Sequence, residues 1–557
     1  MSLAPKNSYR RIPHLVAVML TATTSSFAQN AAPVAPPVQT NPVDAKRWTQ
    51  QRAMQWYQGQ PWPCGFNYVP AHAISYTEMF MPYNFDAKKM DSEFAMAQKD
   101  GFNCARVVLP FVVWEHDPAD FKRHFSEFLR VASAHGIKVM PALFDDCVFG
   151  HTADPSYGRQ PVVVPGWYAN GWTPSPGHAI VRDQTQWPRL EKYVKDIIST
   201  YKNDKRVWLW DLYNEPTNSG MGDVTVPLVN KVFDWAREID PVQPLTSDVF
   251  GTPAMQRLAL DRSDIITFHN YDPADSLQAN IDQLQLAGRP IICSEWLNRA
   301  RQSNVQNCLP VFVRENVGAI HWGYINGRTQ TNFPWGSKPG MPSPKLWQHD
   351  LYRSEYTVES IPTGGYGFGT EYDPTSSQRK PYDPAEIALF RQAMAEMAKK
   401  PRTTGNAKQW LLSTALLHDN NNVWRYTTTQ PGGNWNTATY NDAEWKSGEG
   451  GFGTEAPNAI PRTTWDTSDI WLRRNLNLAK VPTQATLYIH HDEDLDIYIN
   501  GQQVFTVKGY TDNYKAVPLP ASALAAMKPG DNTIAVHCHQ TSGGQYVDVG
   551  LAISKMP

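Results

Sequence analysis

Cysteine is scarce, with six in 557 residues (64, 104, 147, 293, 308 and 538). A disulfide scaffold needs a far higher density, so an apolar core must hold the fold. Most of these cysteines lie in or beside apolar runs and read as small core residues. One bridge is permitted in an exported chain, but the spacing assigns none. Charge of one sign is missing too: 51 basic and 53 acidic side chains leave a formal net charge of -2. No basic field exists, which argues against nucleic acid as the main partner. The apolar run near the N-terminus, from Leu15 to Ala22, covers about 8 residues, whereas a membrane span needs about 20. No G-x-G-x-x-G or Walker loop follows any strand candidate, so the usual nucleotide sites of open α/β sheets are absent. No repeat of fixed period is present, and no strand-end cluster of His and Asp has metal-ligand spacing.

Large rings, by contrast, are abundant. Aromatics make up 12% of the chain, with 20 Trp and 24 Tyr beside 44 Pro. Such a chain is globular rather than disordered. Its first residues carry Lys6, Arg10 and Arg11, then the short apolar run, then Ser26-Phe27-Ala28. This is the pattern of a signal peptide over 1–28, which predicts a secreted or periplasmic protein without a membrane anchor. No cysteine stands near the cut for lipid attachment. Residues 29–59 read as a Pro/Ala-rich spacer and lead-in.

From 60 to 400, eight short apolar runs alternate with helical patterns. The runs are CGFNYV (64–69), CARVVLP (104–110), KVMPALF (138–144), VWLWDLY (207–213), PLTSDVF (244–250), DIITFHN (264–270), PIICSEW (290–296) and AIHWGYI (319–325). They lack strict alternation, as strands covered on both faces do. Two helices are well marked: Asp86 caps one that Gly101 closes, and Asp117-Pro118 opens another that stops at Gly136. Eight such units predict a (β/α)8 barrel, with a doubly wound open sheet as the structural competitor. After a linker at 401–410 the texture changes to alternating segments. ATLYIHHDEDLDIYING (485–501) places Leu487, Ile489, Leu495, Ile497 and Ile499 on one face, and Asn500-Gly501 fits a tight hairpin. Residues 411–557 therefore read as an antiparallel β-sandwich.

In such barrels reacting groups sit at the C-terminal ends of the strands. The fourth strand candidate ends in WDLYNEP, placing Asn214 and Glu215 at the rim; the seventh ends in CSEW, placing Glu295 there. On these motifs the segment 60–400 resembles the clan A, or 4/7, glycoside hydrolases, which include cellulase-like family five enzymes, xylanases, β-mannanases and β-galactosidases. The resemblance implies that Glu215 is the acid/base and Glu295 the nucleophile of a retaining β-glycosidase. It also implies that Arg106 orients Glu295, Asn214 binds the sugar 2-hydroxyl, His269 or Tyr271 touches the nucleophile or the sugar, and Trp322 is the platform beneath the reacting sugar. Tyr271 is the expected hydrogen-bond partner of Glu295.

The third βα loop, from Asp145 to about Gln184, is long and carries Trp167, Tyr168 and Trp172; it is expected to wall a subsite. Trp296, Trp335 and Trp347 are candidate further platforms. The C-terminal region resembles galactose-binding-like jelly rolls, notably through WDTSDIWLRR (465–474), HDEDLDIYING (491–501) and HCHQTSGGQYVDVGL (537–551). Asp492, Asp494 and Asp496 invite a weak structural-calcium reading, and His537 with His539 a weak zinc one. No cofactor or catalytic metal is expected. The overall expectation is a monomeric carbohydrate-active enzyme, with xylan or β-glucan favoured as substrate. The alternatives are an exo-acting β-galactosidase or β-mannosidase of the same clan, and a non-catalytic carbohydrate-binding barrel.

Overall fold

The computed structural model describes residues 46–360, 366–368, 379–400, 409–417 and 422–553. The expected signal peptide, most of the spacer and most of the linker lie outside these residues. All eight strand candidates form strands: β1 Cys64–Asn67, β2 Cys104–Val108, β3 Lys138–Ala142, β4 Trp210–Asp211, β5 Leu245–Thr246, β6 Ile266–His269, β7 Ile291–Glu295 and β8 Gly318–Trp322. Their order is β5-β4-β3-β2-β1-β8-β7-β6, and the Asp248–Thr267 bridge joins the two ends into a parallel barrel. The helices between them start where short polar side chains satisfy free N–H groups. Asp86 accepts from Lys88 and Lys89 ahead of helix Ala87–Asp100, and Gly101 ends that helix at φ 88°. Asp117 caps Pro118–Ala134 in the same way.

Two local irregularities aim the rim. Val139 stands opposite Val207 and Ala142 opposite Asp211, so the β4 side carries one extra residue. Consecutive Phe268 and His269 face Cys293 and Glu295, so Ser294 is a bulge in β7. Bulges of this kind re-aim side chains beside active sites, and this one sets Glu295 directly opposite His269.

The lead-in to the barrel carries a helix of its own. Helix Gln50–Gln58 caps the bottom of the barrel, where Trp48, Ala53 and Tyr57 pack with Met140, Trp208 and Ile320. Its apolar positions are few and its mean hydropathy is low, so no stripe announces it. All six cysteines are buried and free. No helix among the described residues is long and apolar enough to cross a membrane.

The C-terminal region is a sandwich of a five-stranded and a six-stranded antiparallel sheet. The segment 485–501 is not one strand: Ala485–Asp492 belongs to the first sheet and Asp494–Ile499 to the second. Alternation is preserved across the break because both sheets face the same core, which holds Leu487, Ile489, Leu495, Ile497 and Ile499 together. The three aspartates are therefore split between sheets. Asp494 takes the Lys508 ammonium and Asp496 the Gln503 amide instead of converging on a cation. His537 and His539 each bond Asp469 Oδ1 at 2.9 Å. Asn500 and Gly501, at φ 50° and 87°, form the expected two-residue hairpin.

The sandwich rests on the barrel. Leu416 and Ile460 join the barrel's own apolar core, and Arg462 pairs with Asp261 of helix Pro253–Arg262 at 2.7 and 3.0 Å.

Candidate active site

The cup at the C-terminal ends of the strands is organised around one buried cation. Arg106, on β2, is 1% exposed. It gives Nε and one terminal nitrogen to Asp211 Oδ2 (2.9 and 2.6 Å) and reaches Asn214 Oδ1 at 2.5 Å. Its other terminal nitrogen serves Asn67 Oδ1 (2.9 Å) and Glu295 Oε1 (2.6 Å). Burial works against the guanidinium charge, but Asp211, Glu295 and Asp248 hold it above its ordinary value. Tyr271 donates to the other Glu295 oxygen at 2.7 Å. Glu295 is thus fixed at both oxygens.

Glu215 sits across the cup in a left-handed backbone conformation (φ 39°), with its N–H held by Asp248 Oδ1 at 3.1 Å. Such a conformation is costly for a non-glycine residue and persists where the surroundings demand it. Its carboxyl meets three groups: His269 Nδ1 on Oε1 at 2.7 Å, Cys147 Sγ on Oε2 at 3.1 Å, and Asn218 Nδ2 on Oε2. Burial alone would raise this carboxyl, but the hydrogen bond and charge of His269, then Cys147 and Asn218, outweigh it and hold it below the usual range. His269 also lies 3.5 Å from Glu295 Oε2. Burial would lower the imidazole, yet Glu295, Asp248 and Glu215 push it up to about 9. The proton belongs to the Glu215–His269 pair, on the Oε1···Nδ1 axis.

Ligand atoms of Glu215, His269 and Glu295 lie within 4.8 Å of one another. This is also the group among the described residues that could hold a metal ion. Its donor atoms are engaged with one another and with Arg106 and Tyr271, an arrangement suited to moving a proton and presenting a carboxylate.

The structure brings Arg106, Asn214, Glu215, His269, Tyr271 and Glu295 together, with Trp322 at the end of β8 beside Trp172, ring centroids 5.3 Å apart. Asp145 is fully buried and faces no open space. It accepts from Asn214 (2.8 Å), Trp172 (2.8 Å) and the Cys147 backbone (2.9 Å), and burial lifts its carboxyl to about 7 despite those bonds. It orients Asn214 and Trp172. Trp296 is not a platform. With 0% exposure it packs against Phe312 and Phe390 of the outer helices, because the residue after inward-facing Glu295 points out of the barrel. Trp347 is likewise buried, stacked on Tyr382. Trp335 is 36% exposed and stands edge-on to Tyr271 at 4.9 Å.

Sequence reasoning missed three contributors. Cys147 was grouped with core thiols, although its place two residues after Asp145 at a strand end was a usable signal. Asp248 closes the fifth strand candidate; burial, with Asp211 and Glu215, pushes it up to about 8 against the His269 charge. Asp211 is the buried counterion of Arg106, with the WDLYNEP motif as its signal.

Residues 66–329 match the model of the family Cellulase (glycosyl hydrolase family 5). Over these residues the barrel is similar to that family of glycoside hydrolases. Among solved structures, the exo-beta-1,4-mannosidase Op5Man5 from Opitutaceae bacterium strain TAV5 is 18% identical over 60% of each chain, with a TM-score of 0.37. The endo-1,4-beta-mannanase from Rhizomucor miehei is 13% identical over 61% of this chain and 96% of its own (TM-score 0.38). The endo-beta-1,4-mannanase from Thermotoga petrophila is 10% identical over 88% of this chain and 98% of its own (TM-score 0.39). No curated protein matches the chain.

Proposed function

We propose that this protein is a retaining β-glycosidase in which Glu295 is the nucleophile and Glu215 the acid/base. The single observation that carries the reading is the spacing of the two carboxylates, whose nearest ligand atoms lie within 4.8 Å. Retaining enzymes hold their carboxyls about 5–5.5 Å apart, whereas inverting enzymes need roughly 6.5–9.5 Å to seat a water between them. In the first step Glu295 attacks the anomeric carbon, the C–O bond to the aglycone breaks, and the leaving oxygen takes the proton of the Glu215–His269 pair. In the second, Glu215 removes a proton from water, whose oxygen displaces Glu295 from the same carbon. Asn214 offers the 2-hydroxyl an amide N–H that here meets only the weak Cys147 Sγ acceptor at 3.7 Å.

The substrate proposed is a β-linked glycan of plant cell-wall type, xylan or β-glucan before mannan. We place its action outside the cytoplasm, on the strength of residues 1–28, and as a monomer. Proton NMR of the anomer first released from aryl β-xylosides, β-glucosides and β-mannosides tests the chemistry: the β-anomer is expected. Release of the α-anomer would replace this mechanism with inversion, and no release from any of them would favour the non-catalytic binding reading.

The proton count of the pair has a pH consequence. The acid form is lost as pH rises through the value to which His269 is pushed, about 9, so activity extends well into the alkaline range. In His269→Asn the proton is stored by Glu215 alone, and the basic limb of kcat/KM moves toward acid by roughly 1–2 units. An unmoved limb would remove His269 from the proton inventory. Cys147→Ala removes one donor from Glu215 Oε2 and lowers kcat/KM by roughly 3–10-fold, the scale of one net hydrogen bond, with Cys147→Ser recovering most of it. Equal loss in both variants would mean that the thiol only fills space.

A further inference from the structure

The loops that follow β3 and β8, residues 143–177 and 323–357, leave strands that are not neighbours, since β2 and β1 stand between them. They are nevertheless fastened together. Gln330, 0% exposed, accepts from the Gly166 N–H at 2.9 Å and donates to the Val164 carbonyl at 2.9 Å. The Ala169 N–H bonds Thr329 O (2.8 Å) and the Tyr168 N–H bonds Ser337 Oγ (2.8 Å). Ala169 and Gln330 both hold left-handed backbone, at φ 45° and 55°, which non-glycine residues keep only where packing fixes them. Beneath the seam the first barrel loop closes the remaining gap, since a Cβ on Gly327 would lie 2.2 Å from the Ala71 carbonyl. The two loops form one packed wall across the β8–β1–β2–β3 sector of the rim.

That sector is where the transferred sugar belongs. Trp322, Asn214 and the Arg106–Glu295 pair face it, and Trp172 of the wall stands against Trp322 while Asp145 ties it to Asn214. On the other side of Glu215, Ser219, Gly220 and Gly251 are exposed, so the group that receives the Glu215 proton departs into open space. Through Trp172 the wall reaches the platform ring itself, so it stands directly beside the place of the reacting sugar.

We propose that this clamp closes the glycone end of the site and makes the protein an exo-acting enzyme that removes single sugars from the non-reducing end of β-linked oligosaccharides. This inference rests on the retaining-glycosidase reading above. Each event breaks one C1–O bond, with water supplying the new C1 hydroxyl and the proton of the departing alcohol.

The test uses the whole chain with reducing-end-labelled β-1,4-linked tetrasaccharides of xylose, glucose and mannose. It adds aryl β-disaccharides of glucose and mannose whose non-reducing 4- and 6-hydroxyls are tied in a ketal. The labelled chains are expected to shorten one unit at a time, and the ketal disaccharides to react at least 100-fold more slowly than unprotected ones. Gln330→Ala, which loosens the wall, is expected to raise the ketal rate at least tenfold relative to wild type. Ser337→Ala serves the same purpose should the first variant not fold. Internal fragments appearing first, or ketal disaccharides cut at the unprotected rate, overturn the exo assignment and leave the retaining mechanism standing. If no probe is cut by the wild type, both readings fail together.

Discussion

Glu295→Ala is expected to lose activity on unactivated β-glycosides by a factor on the order of 10^4 or more. In the mechanism proposed above its carboxylate forms the bond to C1, and no neighbour can substitute: Tyr271, 2.7 Å away, is a phenol pushed well above its ordinary pKa by burial and by Glu295, and Asp248 is fully buried and held by the Glu215 N–H. Removal of the side chain also leaves a cavity beside Arg106 that a small anion fits. Azide added with a dinitrophenyl β-glycoside should therefore restore turnover and give the α-glycosyl azide, because it enters from the face that Glu295 vacated. Glu215→Ala should behave differently. Its first step survives with a good leaving group, the second stalls for want of a base, and azide then yields the β-glycosyl azide from the covalent intermediate. The product configurations, read by NMR, assign the two roles separately. A Glu295→Ala variant that keeps a tenth of wild-type activity, or an exchange of the two azide products, would sink the assignment.

Much of this arrangement was legible before any coordinates. Eight apolar runs without alternation specified a parallel sheet covered on both faces, and Asn-Glu-Pro at the fourth with Glu at the seventh located the cup. Arg106 and Tyr271 followed from the resemblance and stand on the two Glu295 oxygens. What escaped notice depended on contacts distant in sequence. Cys147 meets Glu215 across 68 positions, and its one local signal, a place just past the end of the third strand, does not say which carboxyl the thiol reaches. Trp296 was misread because composition cannot tell inward from outward at a strand end; the Ser294 bulge and the packing of the outer helices decide it. The break at Glu493 was hidden because one hydrophobic parity serves two sheets that share a core. The loop clamp was invisible for a different reason. Its bonds join backbone N–H groups to a glutamine, a serine and carbonyls, which leave no periodic trace.

Arg106→Ala should be the most damaging change to the barrel as a whole, since it removes charge from a site that water cannot reach. Asp211, 0% exposed, would lose both bonds at once, and Glu295, Asn67 and Asn214 would each lose one. Burial already disfavours the Asp211 charge, and the attraction of Arg106 is what chiefly opposes it. Breaking a buried pair while one partner stays costs about 3–5 kcal/mol, enough to lower the melting temperature by several degrees in a domain of this size. Activity should fall further than stability suggests, by roughly 10^2-fold or more, because a Glu295 oxygen freed by an ångström misses the anomeric carbon. Arg106→Lys separates the two effects. One ammonium restores the charge but cannot span Asp211, Asn214 and Glu295 in a single plane, so melting recovers in part while kcat/KM stays low. Calorimetry and kinetics on the two variants check this directly. A lysine variant that recovers full turnover would show that Arg106 supplies charge alone, and the fork geometry assigned to it here would have to be abandoned.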